Sequence, residues 1–123
     1  MTKGQAVYQF FSQFGMPAYP VSGVPEDVIF PYLTYENPSS AFEMGEVFMA
    51  VSLWFRTESE AIPNARAQQI AEAIGLSGVI LPVDGGAIWL KLGSPASNSP
   101  RYDAAPNVKL RVLNITREDL TLN

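Results

Sequence analysis

The sequence predicts an α+β fold, an antiparallel or mixed β-sheet of about four to five strands with two helices packed on one face. Three observations lead there. Apolar residues recur at three- and four-residue steps in two segments only, 2–14 and 60–74. Shorter segments at 31–36, 47–57, 79–83, 87–92 and 108–116 alternate at period two or read as β-rich apolar runs bounded by turn residues. The resulting order is helix, strand, strand, helix, hairpin, strand, with short connections that favour antiparallel neighbours. The second helix could instead cross over between parallel strands, so the order of strands stays open. At 123 residues the chain fits one α+β domain, 1–123, with one core.

The first helix is expected over residues 2–14, capped by Thr2 and ended by Gly15 with Pro17. Ala6, Val7, Phe10, Phe11 and Phe14 form its apolar stripe, suited to a flat partner such as a sheet, and Tyr8 lies near the edge of that stripe. Residues 15–30, with Pro17, Pro20, Gly23 and Pro25, read as a loop. Pro31 then opens a strand, where a missing N–H is tolerated. Tyr32, Thr34 and Glu36 share one face of it, Leu33 and Tyr35 the other. Asn37-Pro38-Ser39-Ser40 ends it by turn chemistry.

Residues 47–57 make the strongest strand. Val47, Met49, Val51, Leu53 and Phe55 face one way; Phe48, Ala50, Ser52, Trp54 and Arg56 face the other. Both faces are largely apolar, so the strand is expected to be central and covered on both sides, by a helix layer and by a neighbouring subunit. The second helix follows over 60–74, with Ser59 as its cap, Glu60 near the positive end and Pro63 in the first turn. Its expected buried stripe is Ile62, Ala67, Ile70, Ala71 and Ile74, and Gly75 closes it.

A hairpin pairs 79–83 with 87–92 around Asp84-Gly85-Gly86, where glycine supplies a positive φ. Ile88, Leu90 and Leu92 lie on one of its faces, Ala87, Trp89 and Lys91 on the other. Residues 93–107, rich in Pro and Ser, read as a long loop, and loops of that length are functional or disordered. In the last segment, 108–116, Val108, Leu110 and Val112 alternate with Lys109 and Arg111, which predicts a half-exposed or edge strand. The tail E-D-L-T-L-N is expected to fray or to add to a neighbour.

Composition narrows the function classes. Charged residues make up 16% of the chain, against roughly 25% in typical soluble domains. Such a shortfall points to surface that meets a partner, or else to a compact, core-rich monomer. The formal charge is −4, and the eight Lys and Arg residues are scattered, so no basic stripe exists for binding phosphates. A mildly acidic surface still suits a pore through which DNA slides. The absence of Cys and His removes disulfides, thiolate chemistry, triads of the Ser-His-Asp and Cys-His types, and Cys/His zinc sites. No signal-peptide core and no membrane-length apolar run is present, so an intracellular, soluble product is expected.

The remaining polar signals have structural readings. Glu43, Glu46, Glu58 and Glu60 flank strand ends and a helix start, where acids suit solvent and the helix dipole. Asp84-Gly85-Gly86 lacks the Lys-Ser/Thr of a phosphate loop and precedes a strand. Tyr32, Tyr35, Trp54 and Trp89 fall at strand spacing and read as packing aromatics. Arg101, Tyr102 and Asp103, between Pro100 and Pro106, read either as interface anchors on an exposed loop or as a solvated loop whose Tyr packs back. Phe42 and Met44 pose the same choice. No catalytic residue, cofactor site or metal site is assigned.

One stretch, residues 20–36 (P-V-S-G-V-P-E-D-V-I-F-P-Y-L-T-Y-E), works as a signature when joined to what surrounds it. Before it stands the helix with Phe10, Phe11 and Phe14 and the loop Tyr19-Pro20-Val21; after it come Trp54 and the Ala-rich helix 64–74. Taken together, this pattern resembles the small tail-terminator and tail-completion proteins of long-tailed, siphovirus-type bacteriophages. The resemblance implies a non-enzymatic virion structural protein, forming a homo-oligomeric ring, expected as a hexamer, on the last ring of the tail tube. Such a ring stops tube polymerisation and offers a docking face to the head-completion or connector protein. It implies assembly in the host cytoplasm, a place at the head-proximal end of the tail, passage of DNA through the lumen without specific binding, and no membrane. The alternatives are another neck, connector or tail-tube subunit of the same particle, and a small-ligand-binding or enzymatic α+β domain using Glu and Arg side chains.

Overall fold

The computed structural model describes residues 1–36, 45–97, 101–102 and 107–121. Helix α1 spans Lys3–Phe11 and starts with the expected cap. The Thr2 hydroxyl accepts from the Gln5 N–H at 3.1 Å, and the Gln5 side chain accepts from the Thr2 N–H at 2.9 Å, a reciprocal capping box. The helix stops about one turn short of its expected end. The Ser12 hydroxyl donates to the Tyr8 carbonyl at 2.6 Å, and Gly15, at φ +79°, turns the chain away. Phe14 is nonetheless buried, edge-on to Phe10 with centroids 5.6 Å apart.

The strands are β1 (Ala18–Pro20), β2 (Tyr32–Tyr35), β3 (Glu46–Arg56), β4 (Val79–Val83), β5 (Gly86–Ser97), β6 (Arg101–Tyr102) and β7 (Val108–Thr121). A 3-10 turn, Val21–Gly23, follows β1, and helix α2, Ala61–Ile74, links β3 to β4. Six strands form one mixed sheet in the order β1-β2-β3-β7-β5-β4, and two-residue β6 pairs with β7. Only β1 and β2 run parallel; the other pairs are antiparallel. The class is α+β as expected, but the sheet is larger than four to five strands. The additions are β1, three residues long, and β6, two residues long, both too short to show alternation.

Both helices pack on one face. Val7, Phe10 and Phe11 of α1 and Ile70 and Ile74 of α2 join Leu33, Tyr35, Met49, Val51, Leu53, Ile88, Leu90, Leu113 and Ile115 of the sheet in one core. The ring of Tyr35 stacks on Phe11 at 5.7 Å, and burial raises the Tyr35 pKa, with Tyr8 adding to it. Ile62 departs from its expected place in the buried stripe and is 53% exposed; its neighbour Pro63 is the residue that the first turn of α2 buries. As expected, the Ser59 hydroxyl accepts from the Ile62 N–H at 3.3 Å, and Gly75 ends the helix with φ +77°.

The largest correction concerns β7. It is not an edge strand: it lies between β3 on one side and β5 and β6 on the other. It also continues through Thr121, which pairs with Gly86, so residues 118–121 of the tail belong to the sheet of their own chain. Lys109, Arg111, Arg117 and Asp119 of this strand face the helices rather than solvent. Arg111 donates to Glu60 Oε2 at 2.6 Å and to Asn64 Oδ1 at 2.7 Å, and Lys109 lies 3.7 Å from Glu60. Arg117 donates to Asp119 at 2.9 Å, and Asp119 also meets Lys3 of α1 at 3.0 Å. Burying these charges is tolerated because each has an opposite charge and hydrogen bonds. Among the described residues, every buried side-chain nitrogen or oxygen has a partner.

Candidate assembly surface

With both helices on one side, the opposite face of the sheet is left open by the described residues. Strand alternation places Tyr32 and Thr34 of β2, Phe48, Ala50, Ser52 and Trp54 of β3, and Leu110 and Val112 of β7 there. The register sets Trp54 beside both Tyr32 and Leu110, and Ser52 beside Thr34 and Val112. Among the described residues, the expected cover of β3 on both sides is therefore met on one side only. Phe48 is 71% exposed, while Ala50, Ser52 and Trp54 are half-buried. A phenylalanine so exposed in mid-sheet, beside half-buried apolar neighbours, is the composition of a surface that a partner removes from water.

The face is ordered at both ends. Towards β1, Tyr32 stacks on Trp54 with centroids 6.0 Å apart and planes 10° apart, and Trp54 Nε1 donates to the Thr34 hydroxyl at 3.2 Å. Phe30 and Tyr19 pack edge-on to Tyr32 at 5.2 and 6.3 Å. Towards β4, Trp89 Nε1 donates to the Ser77 carbonyl at 2.9 Å, and Lys91 Nζ lies 4.1 Å from the centre of the Trp89 ring. Lys91 hydrogen-bonds Glu46 and lies 3.5 Å from Glu118. The Glu46 hydrogen bond is the main cause that holds the Lys91 pKa above its usual 10.5, with burial working against it. All four aromatics singled out in the sequence thus pack, Tyr35 beneath the helices and the others on the open side.

The described carboxylates do not converge on a reaction centre. Glu60 is engaged with Arg111 and Lys109, and Glu46 with Lys91. Among the described residues no group of three His, Cys, Asp or Glu side chains is arranged to hold a metal, and no helix is long and apolar enough to cross a membrane. Asp84 closes the hairpin turn and pairs with the Met1 amino group at 2.6 Å.

Of the candidate interaction residues, Arg101 and Tyr102 form β6, paired with Leu110 and Lys109 of β7. Phe42, Met44 and Asp103 lie outside the described residues. Sequence reasoning put Phe48 on the second face of β3 without marking it as a contact residue. The signal was there: a phenylalanine on the face that also carries Ser52 and Arg56.

No protein-family model matches the sequence, and no curated protein matches it. A solved structure does match in fold: a chain of the "Virion of native gene transfer agent (GTA) particle", 16% identical, at a TM-score of 0.69. The alignment covers 97% of this chain and 95% of that one, so the two share one fold from end to end.

Proposed function

We propose that this chain is a structural protein of a phage-like virion, and within it the tail terminator. As a ring, with six copies expected, it caps the tail tube, stops its growth and presents a docking face to the head-completion or connector protein. It acts at the head-proximal end of the tail after assembly in the host cytoplasm, and DNA passes through its lumen without specific contacts. The observation that carries this reading is the end-to-end fold likeness to a chain of a gene transfer agent virion. The open apolar sheet face around Phe48 and the low charge content agree with a subunit that buries area against neighbours.

The test is to mix the purified protein with tail-tube protein during tube growth and image the product by negative stain. Tubes of limited length, each capped by a ring at one end, are expected. Tubes that grow on unchanged, or a chain that itself builds filaments, would sink the terminator role; filaments would point to a tube subunit instead. An enzymatic or ligand-binding role would need carboxylates converging in a closed pocket, and Glu46 and Glu60 are instead held in ion pairs.

A further inference from the structure

Beside the aromatic end of the open face lies a groove of about 620 Å³, walled by Ile29, Phe30, Phe55 and Ile62 and flanked by Arg56 and Arg66. Its rim is unusually apolar for exposed surface: Ile29 is 79% exposed and Ile62 53%. The Arg56 guanidinium lies over the Phe30 ring, 4.6 Å from its centre. Gly15 makes room for the Arg66 guanidinium, since a Cβ there would stand 2.7 Å from Nη1. Lys3, Lys91, Lys109, Arg111 and Arg117 each have a carboxylate within 4 Å. Neither Arg56 nor Arg66 has one among the described residues. Two guanidinium groups without a carboxylate among the described residues, over exposed isoleucines, fit a short peptide that is apolar and singly acidic.

This chain carries such a peptide. Residues 37–44, N-P-S-S-A-F-E-M, hold one acid, Glu43, between Phe42 and Met44, and no cation. The segment cannot fill its own groove. Strand β3 runs unbroken in register with β7 from Glu46 to Arg56, so Gly45 stands about 36 Å from Arg56 at ~3.3 Å per residue. Phe42 is three residues from Gly45, a reach of about 11 Å. Glu36 and Gly45, the residues that bound the peptide, therefore lie towards the opposite end of the β2–β3 ladder from the groove.

We propose that the groove receives the Phe42-Glu43-Met44 segment of a neighbouring copy, with the Glu43 carboxylate between Arg56 and Arg66 and the flanking apolar side chains on Ile29, Phe30 and Ile62. Donor and acceptor at opposite ends make the contact head-to-tail, the kind that closes into rings. The inference builds on the ring reading and supplies the joint between successive copies.

The test separates the two. A labelled, end-blocked peptide of residues 37–45 is titrated into the full chain by fluorescence anisotropy. Saturable binding is expected, weakened about tenfold by Arg56→Gln or Arg66→Gln in the protein, and equally by Glu43→Gln in the peptide, which leaves the fold untouched. No binding, or binding indifferent to these changes, overturns the inference whatever the chain assembles into. In the full chain, Glu43→Arg is expected to break the assembly seen by sedimentation velocity, and Arg56→Glu added to it to restore assembly. Assembly that ignores Glu43→Arg overturns the joint and leaves the ring reading standing. Peptide binding without any ring, on the tube or off it, supports the groove and sinks the ring.

Discussion

The contact between α1 and β7 through Asp119 has a calculable consequence. The Asp119 side chain is 2% exposed and Arg117 4%, whereas Lys3 is 31% exposed. One carboxylate oxygen takes the Arg117 Nε hydrogen at 2.9 Å, and the other lies 3.0 Å from Lys3 Nζ. Asp119→Ala strips a buried guanidinium of this carboxylate and leaves the first turn of α1 with Lys3 facing the positive end of the helix dipole. Removing one member of a buried pair costs about 3–5 kcal/mol, and the partial exposure of Lys3 favours the lower end, ~3 kcal/mol. With roughly 2.1 cal/mol/K per residue, the unfolding entropy of the chain is about 0.26 kcal/mol/K, so Tm should fall by about 12 °C.

Thermal unfolding followed by circular dichroism measures this directly. The double variant Arg117→Leu with Asp119→Leu removes both charges and should lose less than Asp119→Ala alone. Burial opposes ionisation of Asp119, but hydrogen bonds from Arg117 and Lys3 outweigh it and hold the pKa below the ordinary 3.8. A depressed carboxyl stabilises above its unfolded pKa and stops doing so as pH falls through the folded one. The gap between wild type and Asp119→Ala should therefore be full at neutral pH and narrow below about pH 4. A Tm change under about 3 °C, a double variant no better than the single, or a gap that widens in acid would refute the argument.

Three further outcomes are expected. Phe48→Glu should leave Tm nearly unchanged, because the side chain is 71% exposed, yet abolish assembly in sedimentation velocity; a variant that assembles normally would remove the open face from the interface. Phe11→Ala should cost about 3–5 kcal/mol in urea unfolding, since Phe11 is fully buried, packs edge-on to Phe10 at 5.0 Å and stacks on Tyr35. Gly78→Ala should destabilise by over ~2 kcal/mol in the same assay, because its φ is +83° and a Cβ would meet Trp89 Nε1 at 2.4 Å and the Leu90 carbonyl at 2.6 Å; a neutral result would show that the β4–β5 hairpin shifts freely.

Local patterns were legible where one element decides its own fate. Thr2, Gly75 and Gly85 set a cap, a helix end and a hairpin turn through backbone chemistry alone, and the 3.6-residue stripe of α1 names most of its buried residues. The errors fall where a distant segment decides. Lys109 and Arg111 alternate with Val108, Leu110 and Val112 like an exposed edge, and Glu60 and Asn64, about 50 residues away, help to make their burial tolerable. Ile62 matches the period of α2, but its neighbour Pro63 is the residue that the first turn buries. In the candidate surface, the second face of β3 was readable as apolar, while Arg56 and Arg66 converge only once β3, α2 and the loop before β2 are in place.

Strand β7 has one more implication, for how the chain comes together. It is synthesised after both strands it joins, and it contacts β3 and β5 along nearly its whole length. A nascent chain that has not yet reached Val108 holds β1-β2-β3 and β4-β5 as separate pieces, each with an unpaired strand edge. Closing the sheet means threading a late strand between early ones, a pairing of high contact order that slows folding and leaves those edges open to other chains meanwhile. Pulse-labelled hydrogen exchange during refolding should find β3 and β5 protected together with β7, not ahead of it.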